Sequence, residues 1–438
     1  MRRTVLFSFL ILNFLWAGAK EIDLSLEKAI DLALNNDFSY RISRKQVDIY
    51  RQRLKNIGFL PQVTLDGYKN LDEKLQILEI PSFTGGDPQQ VSLDFTKNYE
   101  FTLQILQPIF TGGKAYLGFR NSLIDLKSSK EQLAESREET ILRVKKSFFN
   151  ILVMQEYLKA QREARDLMEK NLQNVRQSFE LGLVSQYDLL RAQLSASSII
   201  PEVSRAQNQY EIAVLSLKNI LQLPEDVEPK IIGKLSVPEF DSSLDKLLGM
   251  GLQNRFELRQ IDFEKQKLAN LLKIAYGQYL PSVSLVASYS YRSDFFNFHK
   301  GNWENNYSIN LAVSFPIFPG LSRNAQVGEL RVSRKIMDLN KQMLSSATRL
   351  EVENRYKTIK QEFDNINQAQ KNLELAGEGV RIAELNYSEG MISILELNTS
   401  FNELTNARVA LLQALFNCNI NIAELEKLVG IQYRGGEK

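Results

Sequence analysis

The chain has 438 residues, and its 54 basic and 52 acidic side chains leave a formal net charge of +2. That length suits two or three globular domains or one extended architecture. The near-cancellation of charge removes any broad field for nucleic acid or another anionic partner. A single cysteine, Cys418, excludes an internal disulfide framework, and a single histidine, His299 in the segment FFNFHKGNW, leaves no material for a His-rich metal site.

Residues 1–19 read as a secretory signal peptide. Arg2 and Arg3 form the positive end, Val5 to Trp16 the apolar core, and Ala17-Gly18-Ala19 the cleavage site before Lys20. The apolar run falls short of the roughly 20 residues a helical span needs, and no later stretch is a transmembrane-helix candidate. No cysteine follows the cleavage site, so no bacterial lipid anchor is expected there.

A first repeat is expected over residues 20–223. Asp23 to Asn36 has Leu26, Ile30 and Leu34 on one helical face, and a second helical stretch runs from Phe38 to about Ile57. Around 61–69, Val63 and Leu65 alternate with Gln62, Thr64 and Asp66, which is a strand; residues from about 70 to 97 (PSFTGGDPQQ) read as a loop. Around 98–108 the alternation is strict: Tyr99, Phe101, Leu103 and Ile105 against Glu100, Thr102 and Gln104. Pro108 and Gly112-Gly113 are expected to end that strand.

From Lys114 to about Leu181 there is no proline and, after Gly118, no glycine. Apolar residues recur at threes and fours (Ile141, Val144, Phe148, Ile151, then Met168, Leu172, Val175, Phe179), a seam for helix-on-helix packing. Some 65 residues at about 1.5 Å each give a helix of roughly 100 Å. At Leu181–Ser185 the helix breaks: Gly182 suits a left-handed end position and Ser185 an N-cap. The returning helix, Gln186 to about Leu221, completes a hairpin over 114–221, with a kink expected at Pro201. Pro224, Pro229 and Pro238 mark a linker, 224–240.

Residues 241–438 replay the programme. NNDFSYR at Asn35 returns as QNRFELR at Gln253, GFLPQVTL at Gly58 as QYLPSVSL at Gln278, and FELGLVSQYDLL at Phe179 as YSEGMISILELN at Tyr387. Strands are expected at about 281–292 and 305–315 and a helical hairpin at 321–429. In the last strand Tyr307, Ile309, Leu311, Val313 and Phe315 oppose Asn306, Ser308, Asn310 and Ser314.

Four two-faced strands of 8 to 11 residues have the length of tilted membrane strands, but an open sheet leaves backbone groups unpaired in hydrocarbon. The smallest membrane barrels use about eight strands, so a barrel would have to be shared between chains. The oily face would meet lipid, with Glu100, Thr102, Gln104, Ser308 and Asn310 on the lumen side. Tyr99, Tyr289, Tyr291, Trp303, Tyr307 and Phe315 sit where interfacial girdles would lie.

The duplicated order, the LPQVTL and LPSVSL strand starts, the PIF-containing junctions at Pro108 and Pro316, and the GLVS and GMIS helix turns resemble the outer membrane efflux protein (TolC) family over essentially the whole mature chain. The resemblance implies a mainly α fold with a small β part. It implies a homotrimer, with a 12-stranded outer-membrane barrel (four strands per chain) continuing into a periplasmic α-helical barrel. Function would be that of an exit duct for drug export or other tripartite efflux, or for type I secretion. The partners would be outer-membrane lipid, a periplasmic adaptor (membrane fusion) protein and an inner-membrane pump of RND, ABC or MFS type, with no nucleic acid. Gly182, Leu183, Val184 and Ser185, with Gly390, Met391, Ile392 and Ser393, would be adaptor-docking turns.

The family places two acidic residues one turn apart at a periplasmic aperture. Here Glu396 takes the first position and Thr399 departs at the second, while Asp188 is the first-repeat equivalent of Glu396. Three Glu396 carboxylates would form a cation-attracting ring. No catalytic residue, metal ligand or cofactor is assigned, since no P-loop, GxSxG or HExxH motif is present. Two other readings stay open: a trimeric adhesin, whose strands should form one C-terminal block, and a periplasmic coiled-coil scaffold without a transport role.

Overall fold

The computed structural model describes residues 20–55, 58–69, 76–80, 89–93, 99–296, 299 and 303–431; the expected signal peptide lies outside them. In chain order the elements are β1 (Lys20–Leu24), α1 (Leu26–Asn36), α2 (Phe38–Arg53), β2 (Gln62–Lys69), β3 (Gln76–Ile80), β4 (Gln89–Leu93), β5 (Tyr99–Thr111), α3 (Lys114–Glu180) and α4 (Gln186–Leu221). The second half follows with β6 (Val227–Ile231), α5 (Leu244–Asn254), α6 (Phe256–Gly277), β7 (Ser282–Ser293), β8 (Glu304–Ser314), α7 (Ser322–Ser388) and α8 (Ile394–Leu428).

The chain divides into two compact units that cut across the repeats: residues up to 45, 131–259 and from 343 onward form one, and 46–130 with 260–342 the other. Each unit takes material from both halves of the chain.

One unit holds a four-stranded antiparallel sheet of order β2-β5-β7-β8, so the inner strands come from different repeats. The register puts Val63, Ile105, Ala287 and Ile309 in one row and Leu65, Leu103, Tyr289 and Tyr307 in the next, on the apolar face. Trp303 stacks on Tyr291 (centroids 4.9 Å) and leans on Phe101 (5.8 Å), whose ring also covers Gly67 across the strand pair. The outer strands β2 and β8 have no partner beyond them in the sheet, and their apolar side chains stand free: Leu65 is 70% exposed, Tyr307 78% and Ile309 71%.

Three features depart from the sequence expectations. β5 does not stop at Pro108 but runs to Thr111, because the register with β7 skips Ile109: a bulge beside the proline tolerates its missing N–H. The expected 70–97 loop carries a two-stranded antiparallel pair, β3 with β4. The expected 224–240 linker contains β6, which pairs in parallel with β1 at the start of the described chain. In addition, α4 is unbroken through Pro201.

The other unit is helical and repeats one core twice. In the first repeat Val144, Phe148 and Ile151 of α3 pack with Leu217 and Leu221 of α4 and with Ala29, Ile30 and Ala33 of α1. In the second, Val352 and Ile359 of α7 pack with Leu425 and Leu428 of α8 and Leu247 of α5. Burying an aliphatic side chain of this kind contributes about 1.5–3 kcal/mol. The long helices α3 and α7, 67 residues each, therefore rest on tertiary packing rather than on intrinsic propensity.

Within the sheet unit, the β5–α3 turn and the end of α6 approach backbone to backbone. A Cβ on Gly112 would run into the Gly277 carbonyl, and one on Gly277 into that of Gly112; Gly112 also has φ +59°. Gly118, inside α3, faces open space. Gly277→Ala should therefore destabilise by about 1–3 kcal/mol through overpacking, whereas Gly118→Ala should stabilise by roughly 0.5–1 kcal/mol. Thermal unfolding of the two variants gives the comparison; equal and small shifts would remove the close approach as a constraint.

Candidate functional site

The two turns that end the long helices are built alike. At the end of α3, Leu183 N–H donates to the Ser178 carbonyl (2.8 Å) and Gly182 N–H to that of Phe179 (2.9 Å), with Gly182 at φ +70°. At the end of α7, Met391 N–H donates to Asn386 (2.8 Å) and Gly390 N–H to Tyr387 (3.0 Å), with Gly390 at φ +72°. Both are left-handed C-caps that satisfy the last helix carbonyls with the fewest residues.

The next helices start on capping boxes. Ser185 Oγ accepts from the Asp188 N–H (3.2 Å), and the Asp188 carboxylate accepts from the Ser185 N–H (3.1 Å) and hydroxyl (2.6 Å). Ser393 and Glu396 repeat the arrangement, with the Glu396 carboxylate accepting at 2.7 Å from the Ser393 N–H and 2.9 Å from its hydroxyl. Those bonds hold the Glu396 pKa below its ordinary value against a smaller opposing effect of burial.

Of the four apolar turn residues, the structure separates two pairs. Leu183 and Met391 project outward, 74% and 67% exposed. Val184 and Ile392 do not: they are half-buried in a cluster that joins the two helical hairpins, with Leu189, Leu397, Val175, Val380 and Phe401. The physical reason is positional. Val184 and Ile392 precede the N-cap, Leu189 and Leu397 stand four residues after it, and such pairs pack as hydrophobic staples. Their side chains therefore face the hairpin contact, while Leu183 and Met391 face outward.

Asp188 and Glu396 are thus members of their own turns, and Thr399 bonds back to the Leu395 carbonyl (2.8 Å). Glu396 and Thr399 are exposed and Asp188 half-buried. A groove of about 750 Å³ runs between the hairpins at this end, bordered by Leu183, Asp188, Tyr387 and Ser393 among others. Burial, and then the negative charge of Asp188 from the other hairpin, raise the Tyr387 pKa. Across the same hairpin contact Asn398 donates to Ser195 Oγ (3.0 Å). The sequence marks Tyr387 only as part of the repeated turn segment YSEGMISILELN, and Asn398, an amide at a helix seam, gives no periodic signal of its own.

In the sheet, the five residues expected to share a polar face do so. Glu100, Thr102 and Gln104 lie in rows with Arg292, Ser290 and Ser288, and those rows extend to Ser308 on β8, with Asn310 in the next row. The face is knitted by Thr102–Ser290 (2.9 Å), Ser288–Ser308 (2.9 Å), Arg292–Glu100 (3.0 Å) and Asn310–Ser308 (3.0 Å). His299 is exposed, while Cys418 is buried, its thiol pushed up to about 11 by burial and by Glu362. No cluster of metal-ligating side chains occurs among the described residues.

Comparison with known proteins places these features. The profile of the outer membrane efflux protein family matches residues 29–222 and 247–431. Outer membrane protein TolC of Escherichia coli is 23% identical over 316 residues, covering 67% of this chain and 62% of that protein. TolC of Vibrio cholerae is 21% identical over 322 residues, 68% of this chain and 69% of that one. Among solved structures, the Campylobacter jejuni CmeC outer membrane channel superposes with TM-score 0.74 at 20% identity, over 94% of this chain and 87% of its own.

The lowered Glu396 pKa carries a pH dependence. Its stabilisation of the turn is complete above the unfolded-state value near pH 4.3 and is lost as pH falls through the lower folded value. Amide protection factors at residues 393–397, referred to the intrinsic rate at each pH, should fall over that acid window in the wild type and be already low at neutral pH in Glu396→Ala. Ser185→Ala, removing the equivalent cap, should cost about 1 kcal/mol of local stability. Unchanged exchange in both variants would rule out the capping boxes as what holds the turns.

Proposed function

Because the chain belongs to the outer membrane efflux protein family, we propose that it is the outer-membrane exit duct of a tripartite efflux or type I secretion system. It belongs to the outer membrane and has the fold of the family's channels, mainly helical with one small membrane sheet. The observation that carries the reading is the open-edged, two-faced sheet. Its apolar rows are exposed, its polar rows are hydrogen-bonded to one another, and its strands alternate with hairpins of the longest helices in the chain. Such a sheet is unsatisfied in lipid until its edges pair.

Three copies would supply 12 strands and close the barrel, with the polar rows of Glu100, Thr102, Gln104, Ser308 and Asn310 around the lumen. At the other end, the paired turns are read as the docking point for a periplasmic adaptor protein, which joins the duct to an inner-membrane pump. Leu183 and Met391, the exposed pair, would enter an adaptor surface; Gly182, Gly390, Ser185 and Ser393 shape the turns that present them. Glu396, with its carboxylate ionised through the neutral range, would set a ring of three charges in the trimer, and Thr399 would leave that ring single. Strands divided into two separated pairs argue against the adhesin.

The purified chain should run as a heat-sensitive trimer from the outer-membrane fraction and conduct ions in planar bilayers. A water-soluble monomer in the periplasmic fraction would overturn the reading. Leu183→Asp combined with Met391→Asp should lower efflux about tenfold or more, since docking surfaces concentrate binding energy in a few buried apolar anchors. Trimer yield should stay at the wild-type level, and the Val184→Asp variant should lose the turn itself. Glu396→Ala should reduce cation selectivity in single-channel recordings; unaltered selectivity removes the ring.

A further inference from the structure

Helices α2 and α7 each carry an open apolar stripe. On α7, Val332, Ile336, Leu339 and Met343 recur at fours and threes, the spacing of a helix-packing seam, and all four are exposed. On α2, Phe38, Ile42 and Ile49 share a face in the same way and are exposed too. The repeat equivalents of these helices, α6 and α3, lie against each other within the chain. Gln260 donates to the Ser128 carbonyl (3.0 Å), Lys267 pairs with Asp125 (2.9 Å), and Asn270 donates to Asn121 (2.8 Å). Phe38 stands where α6 has Phe256, and Val332 where α3 has Ile124. Phe38 and Val332 are each 57% exposed, whereas Phe256 is 2% and Ile124 9%. The chain makes this helix contact once and leaves its repeat equivalent unmade.

Moving the three internal pairs onto their repeat equivalents gives a register. Gln260 with Ser128 becomes Ile42 with Ile336. Lys267 with Asp125 becomes Ile49 with Ser333, next to Val332, and Asn270 with Asn121 becomes Gln52 with Glu329. The helices run antiparallel, since residue numbers rise along one as they fall along the other. Continuing the register brings Phe38 beside Met343 at the far end of both stripes. The two stripes therefore meet along their length, although the register comes from polar contacts elsewhere in the chain. Where the internal joint is built on Gln, Ser, Lys, Asp and Asn, its counterpart is mainly apolar.

We propose that the occupant of each stripe is a second copy of this chain: α2 of one copy packs antiparallel on α7 of the next, in this register. Two different surfaces of each copy take part, so the contact is head-to-tail and closes a ring when repeated about an axis. Removing both stripes from water drives the association. The inference rests on the trimer proposed above and names the joint that ties its helices together.

Disulfide trapping tests the register, because two cysteines bridge only when their Cα atoms lie within about 7 Å. Ile42→Cys combined with Ile336→Cys, oxidised with copper phenanthroline in the outer-membrane fraction, should give covalent dimers and trimers on a non-reducing gel. Ile42→Cys combined with Leu350→Cys uses the same stripe about 21 Å further along α7 and should give none. All three positions are exposed in the chain, so its own cores stay intact, and the buried Cys418 of the wild type supplies the background control. No linked chains from the first pair, or equal linking from the second, would overturn the joint. Ile336→Glu should also lower the temperature at which the trimer dissociates, and an unchanged temperature counts against the joint as well. Heat-sensitive trimer in the untreated wild type tests the trimer separately: its presence without cross-linking defeats the joint alone, and its absence defeats both.

Discussion

A strand that enters hydrocarbon must find a partner for every backbone N–H and C=O, and a four-stranded sheet with two open edges cannot supply them. That shortfall governs the chain. It explains why the apolar faces of β2 and β8 are left uncovered, whereas Val144, Ile151, Leu217 and Val352 in the helical cores are fully buried. It also explains the mixed strand order, β2-β5-β7-β8, in which the two repeats meet at the centre and each gives one edge. Edges from opposite ends of the sheet can pair between copies in one repeating sense, the condition for a closed ring.

Duplication supplies the architecture, but the two halves are not interchangeable. The seams of α3 and α7 match at Val144/Val352 and Ile151/Ile359 but differ where Ile141, Phe148 and Leu152 are matched by Arg349, Tyr356 and Lys360. Polar groups at fixed points add to the difference. The α1–α2 joint bends at Asp37 and the α5–α6 joint at Arg255, and the C-cap of α4 is the left-handed Gln222 where α8 is followed by Gly430. The second glycine has a local cause, since a Cβ there would meet Asn254, whereas the equivalent Asn36 in the first repeat donates to the Leu221 carbonyl instead.

Much of the fold was legible because its periods are long and clean. Strict alternation over Tyr99–Ile105 and Tyr307–Val313 marked the sheet and its polar rows, and proline-free seams marked the 67-residue helices. What escaped was short or set by distant partners. KEIDL and VEPKI, five residues each, become strands by pairing with one another across the whole first repeat. Pro108 reads as a stop, yet the bulge at Ile109 lets the strand pass it. At the turns, Ser185-x-x-Asp188 and Ser393-x-x-Glu396 are legible capping boxes, and the place of Val184 and Ile392 before the N-cap predicts a staple.

The construction of the turns limits how this end of the hairpins can move. Each long helix keeps its hydrogen bonds to the last turn, closes on a left-handed glycine, and hands over within four residues to a capped helix. Nothing in that sequence of bonds is slack. Melting the loops would forfeit two caps, a capping box and a staple in each hairpin. The hairpins meet at the shared cluster around Phe401 and Val380, the Asn398–Ser195 bond, and the approach of Tyr387 to Asp188. Those contacts combine a buried apolar cluster with a few polar bonds, so parting them would expose apolar surface to water. Local bonds fix what the turns present, and the packing between hairpins fixes where it stands.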